Sequence, residues 1–311
     1  MSSQVAISVG PDEQRWLDGG LDFLWLEITR KCNLRCVHCY TEASAELPLR
    51  GSMTRDDWRR ILEEGFAAGC RAVQFIGGEP TLHPDLPDFI ADAKSVGYEF
   101  IEVFTNGTVM NDAVMRALEQ FQVNLAFSVY ADDASAHDAV TAKKGSFSKT
   151  IGNIRNAVRR GLKVRAGIIA MDGNAEKVEG TRALLKDLGV TSVGVDRVRG
   201  IGRGGDFVPH HDPLSELCGS CWKGKLRIDP DGRVSPCVFS GFYNTGNAKD
   251  GLANIMSGAE LREFRSQMRT KELERGWCMP NMCHPETCRP ATGPCVPDCA
   301  PSCNPCVPDL R

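Results

Sequence analysis

Between Phe23 and Val198 the chain alternates six times between a short apolar run and a connecting stretch, most of them helix-patterned. The runs are 22–29, Ala72–Ile76, Phe100–Phe104, Asn124–Tyr130, Lys163–Ala170 and Val193–Val198. Between them, apolar residues recur at helical spacing and stop at glycines. Trp58, Ile61, Leu62 and Phe66 run to Gly69, and Leu86, Phe89, Ile90 and Ala93 to Gly97. A third stretch covers 111–120, and Phe147, Ile151, Ile154 and Val158 run to Gly161. Thr54 with Asp57 reads as a capping box, and Asn174 is expected to cap a helix that ends before Gly189. Short runs joined by helices predict parallel strands with right-handed crossovers, in an open α/β sheet or a barrel. Both architectures place their sites at the carboxyl ends of strands.

Three motifs sit at such ends: cysteines after strand one, Gly77-Gly78-Glu79-Pro80 after strand two and Thr105-Asn106-Gly107 after strand three. The first reads Cys32-x3-Cys36-x2-Cys39, on a loop that can turn three thiolates to one point. Iron–sulfur clusters usually take four cysteines, so three leave one iron open for a small molecule. Part of a zinc site, or plain thiols, are the alternatives, although closed zinc sites want four ligands. In the second motif, two glycines let backbone approach a ligand closely, and Glu79 offers a carboxylate to an ammonium group.

This cysteine spacing, with His38 before the third cysteine and Tyr40 after it, resembles the radical S-adenosylmethionine (SAM) enzymes. The resemblance implies a partial (β/α)6 TIM-like barrel. It also implies a [4Fe-4S] cluster with SAM on its open iron, and a 5′-deoxyadenosyl radical that abstracts a substrate hydrogen. Gly77, Gly78, Glu79 and Pro80 then match the motif that binds the SAM amino group. By the same resemblance Thr105, Asn106, Ser128, Arg165 and Val198 are expected around SAM, with His38 and Tyr40 beside the cluster. His137-Asp138 followed by Gly145-Ser146-Phe147 is similar to a segment of the peptide-modifying members. Thr141 stands where they often carry Arg, and no ligand is assigned there.

The end of the chain has a different composition. Gly200 to Gly205 reads as a hinge, and no helix pattern follows that would make it a dinucleotide fingerprint. Cys218-x2-Cys221-x10-Gly232-x4-Cys237 brackets a hairpin, with its turn at Pro230-Asp231-Gly232. A helix over about 258–269 follows, then Cys278, Cys283, Cys288, Cys295, Cys299, Cys303 and Cys306. The hairpin block resembles the SPASM (twitch-like) extension of radical SAM enzymes, which holds one or two auxiliary [4Fe-4S] clusters. The tail spacing departs from that pattern, and zinc there is an alternative. The expected organisation is a lead-in over 1–20, a barrel over 21–205 and an auxiliary-cluster domain over 206–311.

Fourteen cysteines without a secretion signal point to metal rather than disulfides, and to the cytoplasm. Cys70, alone at a helix end, reads as a core thiol. A net charge of -3 gives no general pull toward nucleic acid, and no run of about 18 apolar residues predicts a membrane span. The resemblance implies oxidoreductase-type modification of a peptide: cross-linking, epimerisation or oxidation by a maturase of a ribosomally made peptide. The alternatives are a dehydrogenase or epimerase of a small alcohol or sugar, and a non-catalytic iron–sulfur or zinc scaffold. A flavodoxin- or ferredoxin-type electron donor is implied. Only about twenty residues precede strand one, too few for a leader-binding domain, so either a separate leader-binding protein does that job or the substrate needs none.

Overall fold

The structure is a computed structural model and describes residues 10–208 and 212–274. Six strands follow the apolar runs: β1 (Phe23–Thr29), β2 (Ala72–Gly77), β3 (Phe100–Thr105), β4 (Asn124–Ser128), β5 (Val164–Ala170) and β6 (Ser192–Arg197). They pair in parallel and in sequence order. β6 does not return to β1, so the barrel stays partial. The far side of β1 is taken by β7 (Lys225–Ile228), also parallel, in the register Phe23↔Lys225 to Leu26↔Ile228. β8 (Arg233–Ser235) and β9 (Gly246–Asn247) continue the sheet antiparallel. Among the described residues the sheet has nine strands.

Nine helices complete the described residues: α1 (Pro11–Leu17), α2 (Arg55–Ala67), α3 (Leu86–Val96), α4 (Asp112–Gln120), α5 (Ala134–Thr141), α6 (Ser146–Arg159), α7 (Val178–Asp187), α8 (Leu252–Met256) and α9 (Ala259–Glu274). Thr54 and Asp57 form the expected capping box of α2, a device that contributes about 1 kcal/mol. Asn174 departs from expectation. Its side chain does not cap the following helix: it accepts from Met171 N (2.8 Å) and donates to the carbonyls of Tyr130 and Ile169 (2.8 and 2.9 Å). It therefore ties the loop after β4 to the loop after β5.

The strands read as continuous apolar runs because both faces are covered. Leu24, Leu26 and Ile28 of β1 face the helix layer with Val73, Phe75, Val103 and Leu125, and Cys70 is buried there as expected. Leu226, Ile228, Val234, Leu252 and Leu261 from the hairpin region join this same core. The inner face carries Phe23, Trp25, Ile76 and Phe104, and packs against Trp222, Phe239 and Phe264. Charged groups lie inside as well: Arg165 makes a fork-to-fork pair with Glu102 (2.8 and 2.7 Å), both nearly fully buried. Glu27 accepts from Arg227 of β7 and from the Tyr40 hydroxyl (3.0 Å).

Candidate functional site

The cysteine loop leaves β1 and is held from three sides by backbone. The turn after β2 grips it through Gly78 N to Thr29 O and Glu79 N to Lys31 O, both 2.8 Å. Cys32 N bonds Ser44 O (2.9 Å), and Val37 N and Arg35 N reach the carbonyls of Val140 and Thr141 at the end of α5 (3.0 and 3.3 Å). Asp138 fixes that end: Ser146 Oγ and Phe147 N donate to its carboxylate at 2.8 Å. The segment resembling peptide-modifying members thus supports the loop backbone.

The two glycines have a packing reason. A Cβ on Gly77 would lie 2.4 Å from Thr29 O, and one on Gly78 2.3 Å from Lys31 O. Gly77 also has φ +139°, a conformation that favours glycine. The close approach is to the cysteine loop itself, and both glycines also line the cavity above it.

That cavity brings together most of the residues singled out in the sequence. Cys32, Cys36 and Cys39 line it, with His38, Tyr40, Gly77 and Gly78. Thr105, Asn106 and Ser128 line it from the ends of β3 and β4. Four expected residues do not. Glu79 is fully buried, its carboxylate accepting from Thr81 N and Oγ1 (3.0 and 2.6 Å), Thr105 Oγ1 (2.7 Å) and Asn106 N (2.7 Å). Burial raises its pKa, and those four donors oppose the rise. Pro80 begins a short 3-10 turn beneath it. Arg165 points inward but is engaged by Glu102, below Phe104. Val198 packs near Tyr130 and Met171 instead.

The three thiols suit an iron–sulfur group. Leu34 N and Asn106 Nδ2 approach Cys32 Sγ at 3.4 and 3.7 Å, and Thr41 Oγ1 lies 3.3 Å from Cys39 Sγ. Such donors stabilise thiolates. Burial, then the Glu79 charge, pushes the Cys32 thiol up to about 12, and burial pushes Cys36 up too. Bound metal must therefore displace protons here. Among the described residues no three His, Cys, Asp or Glu side chains converge on a single-ion site. His38 lies edge-on to Tyr130 (centroids 4.9 Å apart), its Nδ1 buried without a partner among the described residues. Burial, then Arg203, lowers it to about 4, so the ring is neutral.

Several cavity residues were not anticipated. Phe239, two residues past Cys237, closes the wall and meets Tyr40 edge-on at 5.3 Å. Phe104 and Tyr130 add aromatic surface. Arg197, Arg199 and Arg203 line the side toward β6. Arg203 belongs to the glycine run expected to be a hinge. That run forms a 3-10 turn, Gly202–Asp206, seated on the cysteine loop. Its position after a strand's carboxyl end was the available signal, and the glycines masked it.

The second cysteine set lies behind Phe239. Cys218, Cys221 and Cys237 are all buried, with Cys221 Sγ and Cys237 Sγ 3.1 Å apart. Burial works to raise Cys237, but hydrogen bonds from the Cys221 thiol, Ser240 Oγ and the Phe239 and Ser240 amides outweigh it. They hold it at about 7, and Cys221 is pushed up in exchange. Cys278, Cys283, Cys288, Cys295, Cys299, Cys303 and Cys306 lie outside the described residues.

The profile of the Radical SAM superfamily matches residues 26–185, just over half of the chain. The chain belongs to the radical SAM superfamily. The profile of SPASM, an iron-sulfur cluster-binding domain, matches residues 211–288. This radical SAM protein is 26% identical to the antilisterial bacteriocin subtilosin biosynthesis protein AlbA of Bacillus subtilis, over 83% of the chain and 64% of AlbA. It is 26% identical to the Fe-coproporphyrin III synthase of Methanosarcina barkeri, over 61% of the chain and 47% of that protein. It thus spans about half to two thirds of the length of these relatives. The fold matches Streptococcus suis SuiB bound to precursor peptide SuiA, with a TM-score of 0.67 at 15% identity, over 86% of this chain and 74% of SuiB. Members of the superfamily bind a [4Fe-4S] cluster and SAM, and the SPASM region is an iron–sulfur domain.

Proposed function

We propose that this chain is a radical SAM maturase that removes a hydrogen atom from a residue of a peptide. The observation that carries the reading is a single cavity. On it open three thiols and the Gly77-Gly78 turn, and its far wall, Phe239, comes from the segment that bears Cys221 and Cys237. In this reading Cys32, Cys36 and Cys39 hold the first cluster, and Cys218, Cys221 and Cys237 belong to an auxiliary one. When bound there and given one electron, the first cluster and SAM together would supply a 5′-deoxyadenosyl radical, with methionine as the other product.

The protein's own part is placement and exclusion of water. Gly77, Gly78, Thr105, Asn106, Ser128, His38 and Tyr40 form the SAM cradle. Glu79 supports that cradle from below by holding Thr81, Thr105 and Asn106. Tyr40, Phe104 and Phe239 present apolar surface that keeps water from a reactive carbon radical. Glu27, buried between Tyr40 and Arg227, fixes the Tyr40 ring.

A peptide substrate is favoured because AlbA is named for bacteriocin biosynthesis and SuiB was solved with a precursor peptide. A small-molecule substrate is the second reading, favoured by the likeness to Fe-coproporphyrin III synthase. A flavodoxin- or ferredoxin-type donor, a separate leader-binding protein and a cytoplasmic setting complete the proposal. Among the described residues no helix is long and apolar enough to cross a membrane. The test is anaerobic reconstitution with iron and sulfide, then SAM and a strong reductant. Formation of 5′-deoxyadenosine is expected, with deuterium passing into it from a labelled peptide. No cleavage and no effect of SAM on the cluster spectrum would leave the scaffold reading standing instead.

A further inference from the structure

Three arginines line the cavity, and they differ in what already holds them. Arg197 pairs with Glu216 (2.9 Å), and Arg199 pairs with Asp196 through two nitrogens. Arg203 has no carboxylate partner among the described residues. It spends its donors on the cysteine loop: Nε to Cys36 O (2.8 Å), Nη2 to Ala43 O (3.0 Å) and its own amide to Cys39 O (3.1 Å). Among the described residues its Nη1 has no hydrogen-bond partner.

The backbone around Arg203 is shaped for this seat. Gly202 has φ +57°, and a Cβ there would lie 2.6 Å from the carbonyls of Cys39 and Tyr40. A Cβ on Gly204 would lie 2.1 Å from Arg199 O. The turn therefore fits flat on the cysteine loop and delivers one guanidinium over it. Among the described residues the cavity has no lining lysine, and Arg165 is engaged by Glu102 beneath it.

We propose that Arg203 is the carboxylate anchor of this cavity, and that the carboxylate it takes is that of SAM; this rests on the radical SAM reading given above. Two carbonyls orient the guanidinium of Arg203, which lines the cavity together with Cys36. A carboxylate on SAM meets the one lining arginine whose charge no protein carboxylate answers among the described residues. A substrate carboxylate is the other source of the same chemistry, and the two are separable.

The test compares binding of SAM and of decarboxylated SAM to the anaerobically reconstituted protein by equilibrium dialysis. Wild type, Arg203→Gln and Arg203→Lys are compared after iron content is matched. The wild-type preference for SAM over the decarboxylated form should shrink about ten-fold or more in Arg203→Gln, the worth of a hydrogen bond to a charged group. Arg203→Lys, which keeps a cation, should retain most of that preference and decides the matter if the Gln variant holds no iron. Equal weakening of both ligands would reduce Arg203 to a brace for the loop and overturn the proposal. An unchanged preference alongside weaker substrate binding would assign it to a substrate carboxylate, again overturning it. Failure of wild type to bind SAM at all would instead remove the radical SAM reading on which the proposal stands.

Discussion

Glu79→Gln separates support from direct ligation in the turn after β2. The carboxylate is fully buried and faces four donors, three on Oε1 and one, Asn106 N at 2.7 Å, on Oε2. A glutamine must set its amide against one of these groups. With the amide at the Oε2 position, one hydrogen bond to a charged acceptor is lost, about 1.5–3 kcal/mol, and a buried N–H is left unpaired, about 1–3 kcal/mol. The flipped amide faces three donors and is worse. Relief from burying a charge offsets part of this, so a net loss of about 2–3 kcal/mol is expected. For a chain of this size that is a fall in melting temperature of roughly 3–5 °C. Circular dichroism melts of anaerobically reconstituted protein measure it, with SAM binding followed in parallel by dialysis. A variant that melts as wild type does and yet fails to bind SAM would refute the reasoning, because Glu79 would then act on the ligand directly.

Further outcomes follow from the same geometry. Gly78→Ala puts a methyl 2.3 Å from Lys31 O, so the cysteine loop must shift; iron held by Cys32, Cys36 and Cys39 should be lost while auxiliary iron stays, read by iron counts. Conversely, replacing those three cysteines with Ala should leave the auxiliary iron in place; loss of all iron would show that the two sets are not separate sites. Arg165→Met removes the cation from buried Glu102 and should cost about 3–5 kcal/mol in urea melts, with Arg165→Met/Glu102→Leu recovering most of it. His137 is buried between Tyr130 and Phe147, and burial lowers it from 6.5 to about 4. Because the unfolded chain takes up a proton that the folded one refuses, stability should fall by up to about 3 kcal/mol as pH drops from above 6.5 toward 4. A His137→Asn variant should lose that part of the slope.

Most barrel strands were legible because they are short apolar runs separated by helix-patterned stretches that stop at glycines; β6, with Ser192 and Arg197 exposed, is the least apolar of them. Ends slipped by a residue or two, as at β4, where Val129 and Tyr130 already belong to the loop over the cavity. The cysteine triplet and the Gly-Gly turn were legible as motifs, but the reason for the glycines was not. They accommodate neighbouring backbone, which no local pattern encodes. Arg165 shows the same limit. The resemblance put it around SAM, whereas its guanidinium is held by Glu102, which lies 63 positions earlier and is brought to it only by the register of the sheet. Arg203 was hidden differently: glycines that usually mark freedom here mark close contact.

The hairpin gives the furthest-reaching case of register acting on the site. β7 lies against β1 so that Trp25 faces Arg227, one residue from the Leu226 that joins the outer core. Sliding β7 by one residue would turn Arg227 toward the helices and Leu226 toward Glu27. That would bury Glu27 without its cation and release Tyr40, and it would move Phe239 away from the cavity wall. Apolar burial alone fits a small hairpin poorly, since Leu226, Ile228 and Val234 are few. The Glu27–Arg227 pair adds a penalty to the slipped register that leucines cannot supply, in the manner of buried polar groups that specify one alignment. The charge pair thus favours the register that sets the hairpin bearing Cys221 and Cys237 against β1, and a Glu27→Leu/Arg227→Leu protein should fold yet hold its two cysteine sets in a less defined relation.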